Sequence, residues 1–174
     1  MLRERLENKQ FVITMEVDPP RGANPWPVYE KIKQVAPFLT AANIADCPTA
    51  KMRMSPIALA HLIQGQLDLE TIFHLTCRDR NILGLQAELL GAWAMGVKNI
   101  LTVTGDHPNL GDHPSAAAVY DVDSSGLAKI AASLNSGHDY YGQPLEDNTQ
   151  LFIGAVANPA VKDLAIEKSR IEKK

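Results

Sequence analysis

Cysteine is scarce in this chain. Cys47 and Cys77 are the only two among 174 residues, too few and too far apart for a disulfide framework or a zinc-ligand pattern. Reduced thiols in a cytoplasmic protein are the simplest expectation. Basic charge is not in excess either. A formal net charge of -3 and a pI near 5.9 give no electrostatic footprint for nucleic acid. No apolar run approaches the roughly 18 to 20 residues that cross a bilayer. The charged start, Met1-Leu-Arg-Glu-Arg-Leu-Glu-Asn8, lacks the apolar centre of a secretory leader. No Gly-x-Gly-x-x-Gly follows the first strand-like segment, and no nucleophile-elbow motif is present. What remains is the composition of one globular domain spanning residues 1–174, 45% hydrophobic and 21% charged.

Strand-like and helix-like segments alternate along the chain. The apolar run Phe11-Val-Ile-Thr-Met-Glu-Val17 predicts a first strand, and Val28, Ile32, Val35 and Leu39 at helical spacing predict a helix over 25–39. Pro25 and Pro27 suit its start, and Pro37 bends or ends its last turn. A short strand at 42–45 leads to a polar loop, after which Ser55-Pro56 caps a second helix carrying Ala60, Ile63 and Leu67. A third strand over 70–75 feeds a helix with Ile82, Leu85, Leu89 and Trp93 on one face, ended by Gly96. A fourth strand spans 99–103, and Ser124 or Ser125 caps the helix containing Leu127, Ile130, Ala131 and Leu134. The fifth strand is placed at 151–156, and residues 160–174 read as a last helix. Five units in strict alternation predict parallel strands joined by crossovers, in either an open doubly wound sheet or part of a (β/α)8 barrel. A full barrel needs about 250 residues, so a barrel with five of its units is expected.

Each strand candidate ends in polar residues at a loop entry: Glu16 with Asp18, Asp46-Cys47, His74-Leu-Thr-Cys77, Thr104-Gly-Asp106 and Asn158-Pro159. Barrel enzymes gather their chemistry in this way at one end of consecutive strands. Glu16 is alone in an apolar run, where a carboxylate needs a partner or a cleft; an edge strand pointing it to water is the alternative. The connection 104–123 is long enough to be functional or disordered. Its repeated Asp-His-Pro, at 106–108 and 112–114, has no standard ligand spacing, and Pro-rich turns account for it, so no metal is expected.

The ordered set Met15-Glu-Val-Asp-Pro-Pro-Arg21, His74-Leu-Thr-Cys77, Thr104-Gly-Asp106 and Tyr120-Asp-Val-Asp-Ser124 resembles the methylenetetrahydrofolate reductases. The nearest likeness is to the bacterial branch associated with homocysteine methyltransferase domains, and it extends from about residue 11 to 174. The resemblance implies an α/β fold of the (β/α)8 TIM-barrel type. It implies a bound flavin (FAD, or FMN) and NAD(P)H as co-substrate. The implied reaction is reduction of 5,10-methylenetetrahydrofolate to 5-methyltetrahydrofolate in one-carbon metabolism. Glu16 matches the family's general acid, and a partly apolar barrel mouth favours the protonated form of such a group. Asp106 matches the residue near the flavin's pyrimidine edge and the pterin. His74 and Thr76 match the motif beside the flavin ring and ribityl chain, and Gly105 permits close backbone approach. Asp123 and Ser124 fall where the family contacts the flavin tail, Ser124 offering a hydroxyl and a helix N-terminal N–H. Glu167, Arg170 and Lys174, on one face of the last helix, fall where the family grips the cofactor's ribose, phosphates or adenine.

Structural alternatives stay open for several of these. His74 can be a satisfied core histidine, Asp123-Ser124 a helix cap, and Glu167, Arg170 and Lys174 a solvated face with an ion pair. His61 and His138 read as surface residues, and the two cysteines as small semi-buried fillers. Thr104 stands where the better-known branch has arginine, and Asn158-Pro-Ala160 lacks that branch's acid and nearby histidine. These departures leave the flavin type and the route of electrons open. Implied partners are the folate substrate and a methyltransferase domain or partner subunit, with a homo-oligomer expected and no membrane or nucleic acid. Because the chain stops after five units, it is expected not to be a competent reductase alone. The competing reading is a non-catalytic partial barrel that docks on a methyltransferase or on a second copy.

Overall fold

The computed structural model describes residues 1–161 and 163–172. Among the described residues, five strands form one sheet: β1 Thr14–Val17, β2 Ala41–Ile44, β3 Glu70–Thr76, β4 Asn99–Val103 and β5 Phe152–Ala155. Every neighbouring pair is parallel, in the order β1-β2-β3-β4-β5. That order decides between the two architectures open from sequence. A doubly wound sheet reverses its strand order at a switch point; here each new strand adds to the same side, as around a (β/α)8 barrel. The fold is therefore α/β of the TIM-barrel type, with five β/α units.

Between the strands lie α2 Trp26–Val35, α3 Pro56–Leu67, α4 Ile82–Ala94 and α5 Ser124–Asn135, with α6 Leu164–Glu172 after β5. The first expected strand is shorter than its apolar run, because β2 offers ladder partners only from Ala41; Ile13 instead pairs with Thr40. The helix expected over 25–39 closes at Val35 and tightens into a 3₁₀ turn at Ala36–Phe38, which contains Pro37. A helix that the sequence reading missed, α1 Leu2–Glu7, precedes β1. Its signal was local: Leu2 and Leu6 share a face, and Arg3 pairs with Glu7 at i, i+4. Leu2 is buried and its N–H donates to Glu70 Oε1 at 2.6 Å, while the Arg3 guanidinium lies 5.7 Å from the Phe152 ring centroid. α1 thus sits against the N-terminal ends of β3 and β5.

The sheet alternates with period two. Thr71, Phe73 and Leu75 of β3 are buried, whereas Glu70, Ile72 and His74 are half-buried. A single core cluster joins Ile44, Phe73, Leu75 and Ile100 of the strands to Ile32, Leu59, Ile63, Leu85, Leu89, Leu127, Ile130 and Leu134 of α2 to α5. The helices therefore cover one face, and the face bearing Glu16 and His74 is the inner one. No helix among the described residues is long and apolar enough to cross a membrane.

Candidate active site

The loops at the C-terminal ends of the strands hold almost all the polar residues singled out from sequence. At the mouth of β4 and β5 a cavity of about 440 Å³ is lined by Thr102, Val103, Thr104, Gly105, Asp106, Ser124, Val156, Asn158, Glu167 and Arg170. Three separate segments therefore bring Gly105, Asp106, Ser124, Glu167 and Arg170 together, and a fourth adds Val156 and Asn158. Asp106 is exposed on this rim. Lys174 lies outside the described residues.

Gly105 has φ +90, a backbone state that side-chain-bearing residues rarely adopt. A Cβ there would lie 2.9 Å from Thr76 Cβ and 3.2 Å from Arg78 Cβ. The close approach expected of this glycine is thus to the chain's own β3 mouth. Its carbonyl accepts from the Tyr120 hydroxyl at 3.1 Å, and Tyr120 itself has φ +45. A bulky residue in the left-handed region carries strain of about 1–3 kcal/mol. It is held there by its N–H on the Cys77 carbonyl and by stacking on His107.

Two sequence expectations about hydrogen-bond donors need correction. The Ser124 N–H is not free for a ligand, because it donates to Thr104 Oγ1 at 3.2 Å. The cap of α5 is Asp123, not Ser124 or Ser125: its Oδ1 accepts from the Gly126 N–H at 2.8 Å, and the residue is exposed. Thr76 is buried, and its hydroxyl donates to Asp46 Oδ2 at 2.9 Å, so it is not displayed on the rim.

On the inner face, Glu16 is exposed near the end of β1. The His74 side chain is half-buried, with an Nε2 that is buried and has no hydrogen-bond partner. Burial holds its imidazole below the ordinary histidine range, opposed by the nearby charges of Glu16 and Asp46. His74 is thus not a satisfied core histidine.

Glu167 is also not on a solvated face. It is 5% exposed; one carboxylate oxygen accepts from the Asn158 N–H at 2.8 Å, and the other from Arg170 Nη1 at 3.2 Å. The Arg170 side chain is 55% exposed. Glu167 therefore ties down the β5–α6 loop and aims the one cation that lines the cavity among the described residues.

From sequence, Asp46 is only one of the polar strand ends, and Arg78 and Arg80 have no role. The Asp46 carboxylate, 1% exposed, receives the Thr76 N–H and hydroxyl and also Arg80, whose Nη1 is 2.7 Å away. Arg78 is buried and donates to the Cys47 carbonyl at 3.2 Å. The available signal was Cys77-Arg-Asp-Arg80 directly after an apolar strand, where buried charge demands partners.

The methylenetetrahydrofolate reductase profile matches residues 1–140. The chain belongs to this family. The match covers β1 to α5 and the reductase motifs around Glu16, His74 and Asp106. It stops short of the 11–174 span of the sequence likeness, so Glu167 and Arg170 rest on the cavity geometry. No curated protein matches the chain. Membership makes the function folate-related and reductase-like. The residues present fit a flavin: Asp106 stands on the rim, and the exposed Arg170 guanidinium suits a phosphate.

Proposed function

We propose that this chain holds a flavin (FAD or FMN) at the mouth of β4 and β5 and contributes the acid-bearing part of a site that reduces 5,10-methylenetetrahydrofolate to 5-methyltetrahydrofolate with electrons from NAD(P)H. The observation that carries the reading is the 440 Å³ cavity bringing Gly105, Asp106, Ser124, Glu167 and Arg170 together from three segments. A bound flavin supplies hydride chemistry that no protein side chain can perform. Arg170 binds phosphate, held in place by Glu167. Asp106, on the rim, sets the charge beside the pyrimidine edge and the pterin. His74, kept neutral by burial, offers one ring nitrogen without adding positive charge.

Glu16 acts as the general acid: it delivers a proton to a nitrogen of the bridging ring, the C–N bond breaks, and the carbon left as an iminium accepts the hydride. Because Glu16 is open to water, this role requires the bound ligands to cover it.

Flavin binding therefore tests the reading more directly than turnover. The chain, refolded with FAD or FMN and freed of excess, should carry the visible absorption of a bound flavin. Arg170→Ala should weaken that binding by about tenfold, the worth of one charge-assisted phosphate contact, and Glu16→Gln should leave it unchanged. In any preparation that turns over, Glu16→Gln should keep the flavin and lose folate reduction. A chain that retains neither flavin, or a Glu16→Gln variant with normal folate turnover, refutes the assignment.

A further inference from the structure

We infer that Asp46 is a positioning residue of this site, fixing where Asp106 stands by way of Thr76 and Gly105. The functional meaning rests on the reading above, but the geometry does not. Asp46 follows β2 and lines no part of the cavity. Its two oxygens accept the Thr76 N–H at 2.9 Å, the Thr76 hydroxyl at 2.9 Å, and Arg80 Nη1 and Nη2 at 2.7 and 3.4 Å. Three of these donors meet Oδ2 and one meets Oδ1, and the side chain is 1% exposed, so Asp46 presents nothing to a ligand and acts only through its partners.

A buried ion pair is weak evidence for stability, because desolvation offsets the attraction. What this one provides is direction. With its hydroxyl committed to Asp46, Thr76 has one side-chain orientation, and its Cβ and Cγ2 form the wall against which Gly105 lies, at 2.9 and 3.1 Å from a Cβ position on that glycine. On the other side, the Tyr120 hydroxyl holds the Gly105 carbonyl. Gly105 is thus clamped between two held walls, and Asp106, the next residue, inherits that placement. If Thr76 loses Asp46, rotation about its Cα–Cβ bond leaves Cβ in place but swings Cγ2 away from or into Gly105, which shifts Asp106 on the rim. Asp46 also faces His74, together with Glu16, so its charge is sensed at a second member of the site.

The test is Asp46→Asn, which keeps the shape and one acceptor oxygen but removes the charge. In amide NMR spectra of the 174-residue chain, Gly105 and Asp106 should move, and the His74 imidazole should titrate at lower pH than in the parent. Glu88→Gln, which removes a different Arg80 partner (3.6 Å), should leave both unchanged. Flavin affinity should fall by about tenfold, the middle of the coupling range for residues in one hydrogen-bond network. An Asp46→Asn protein that melts earlier but keeps its Gly105 and Asp106 amides and its His74 midpoint overturns the inference, since a merely structural role predicts that pattern. If Asp46→Asn does not fold, Thr76→Val removes the hydroxyl bond and keeps the shape; unmoved Gly105 and Asp106 amides there are equally fatal. A parent chain that binds no flavin defeats the functional reading, while the amide shifts still decide the positioning role.

Discussion

Replacing Gly111 with alanine tests how the long loop after β4 is held. Gly111 lies at the end of the 3₁₀ turn Pro108–Leu110, against the loop that follows β2. A Cβ there would overlap the Ala50 carbonyl oxygen and lie 2.5 Å from its carbonyl carbon and 2.9 Å from Ala50 Cβ. Its φ of -101 is ordinary for any residue, so the cost is steric. The obstructing atoms are mostly backbone, so no rotamer change relieves them, and the two loops must separate. Overpacking of this kind costs about 1–3 kcal/mol, or roughly 2–12 °C in melting temperature for a chain of this size. The adjacent contacts should fail together: Asp112 Oδ1 accepts the Met52 N–H at 3.0 Å, and Oδ2 lies 2.9 Å from Arg21. Hydrogen exchange at the Met52 amide is the direct assay, with a large loss of protection expected in Gly111→Ala. Acid should act on the same contact. The hydrogen bonds from His113 and from the Met52 N–H hold Asp112 down to about 2, from an ordinary 3.8. A carboxyl depressed on folding contributes stability that is full above its unfolded value and is lost as pH falls through the folded one. Met52 protection should therefore fade between about pH 4 and 2 in the parent. Unchanged protection and melting in Gly111→Ala would refute the docking argument.

Three further outcomes are expected. Gly65 in α3 and Gly91 in α4 have open space where a Cβ would go, so Gly65→Ala and Gly91→Ala should each stabilise by about 1 kcal/mol in thermal melts. Burial holds the His74 imidazole below 6.5; the unfolded chain then binds the proton more readily, so stability should be full above about pH 6.5 and decline as pH falls further, a decline that His74→Gln should reduce. The Cys77 thiol is pushed up to about 12 by burial first and by the charge of Asp123 second, so an alkylating reagent should modify it only on unfolding, as mass spectrometry of native and denatured samples can show.

The alternation of units was legible because strand and helix periodicities are local. Ser55 caps α3 as expected, its hydroxyl accepting the Ala58 N–H. The barrel type followed once the strand order was known, and no local pattern encodes that order. The site residues divide on the same line. Asp106, Gly105 and Arg170 stand out in the sequence because they follow strands or share a helix face, and the cavity gathers them. The use of the Thr76 hydroxyl, the occupied Ser124 N–H and the buried Glu167 were not foreseeable, because each depends on a partner between 9 and 30 residues away. Sequence gives the donors and acceptors; only the fold says which of them have already met.

These internal pairings also decide the electrostatics of the cavity. Thr104 lines the cavity, and its hydroxyl oxygen accepts the Ser124 N–H. That bond occupies an N–H at the start of α5, while Asp123 adds an acidic cap to the same end. The positive pole of a helix, a ready anion site when its N–H groups are free, is largely neutralised within the chain. Asp106 and Glu167 then face Arg170 alone among the described lining residues. An anionic ligand in this cavity must be recognised chiefly through Arg170, and Arg170 is directed by a buried glutamate whose other oxygen holds the Asn158 N–H. The charge that binds and the loop that shapes the cavity thus share one carboxylate, so losing Glu167 should perturb both at once.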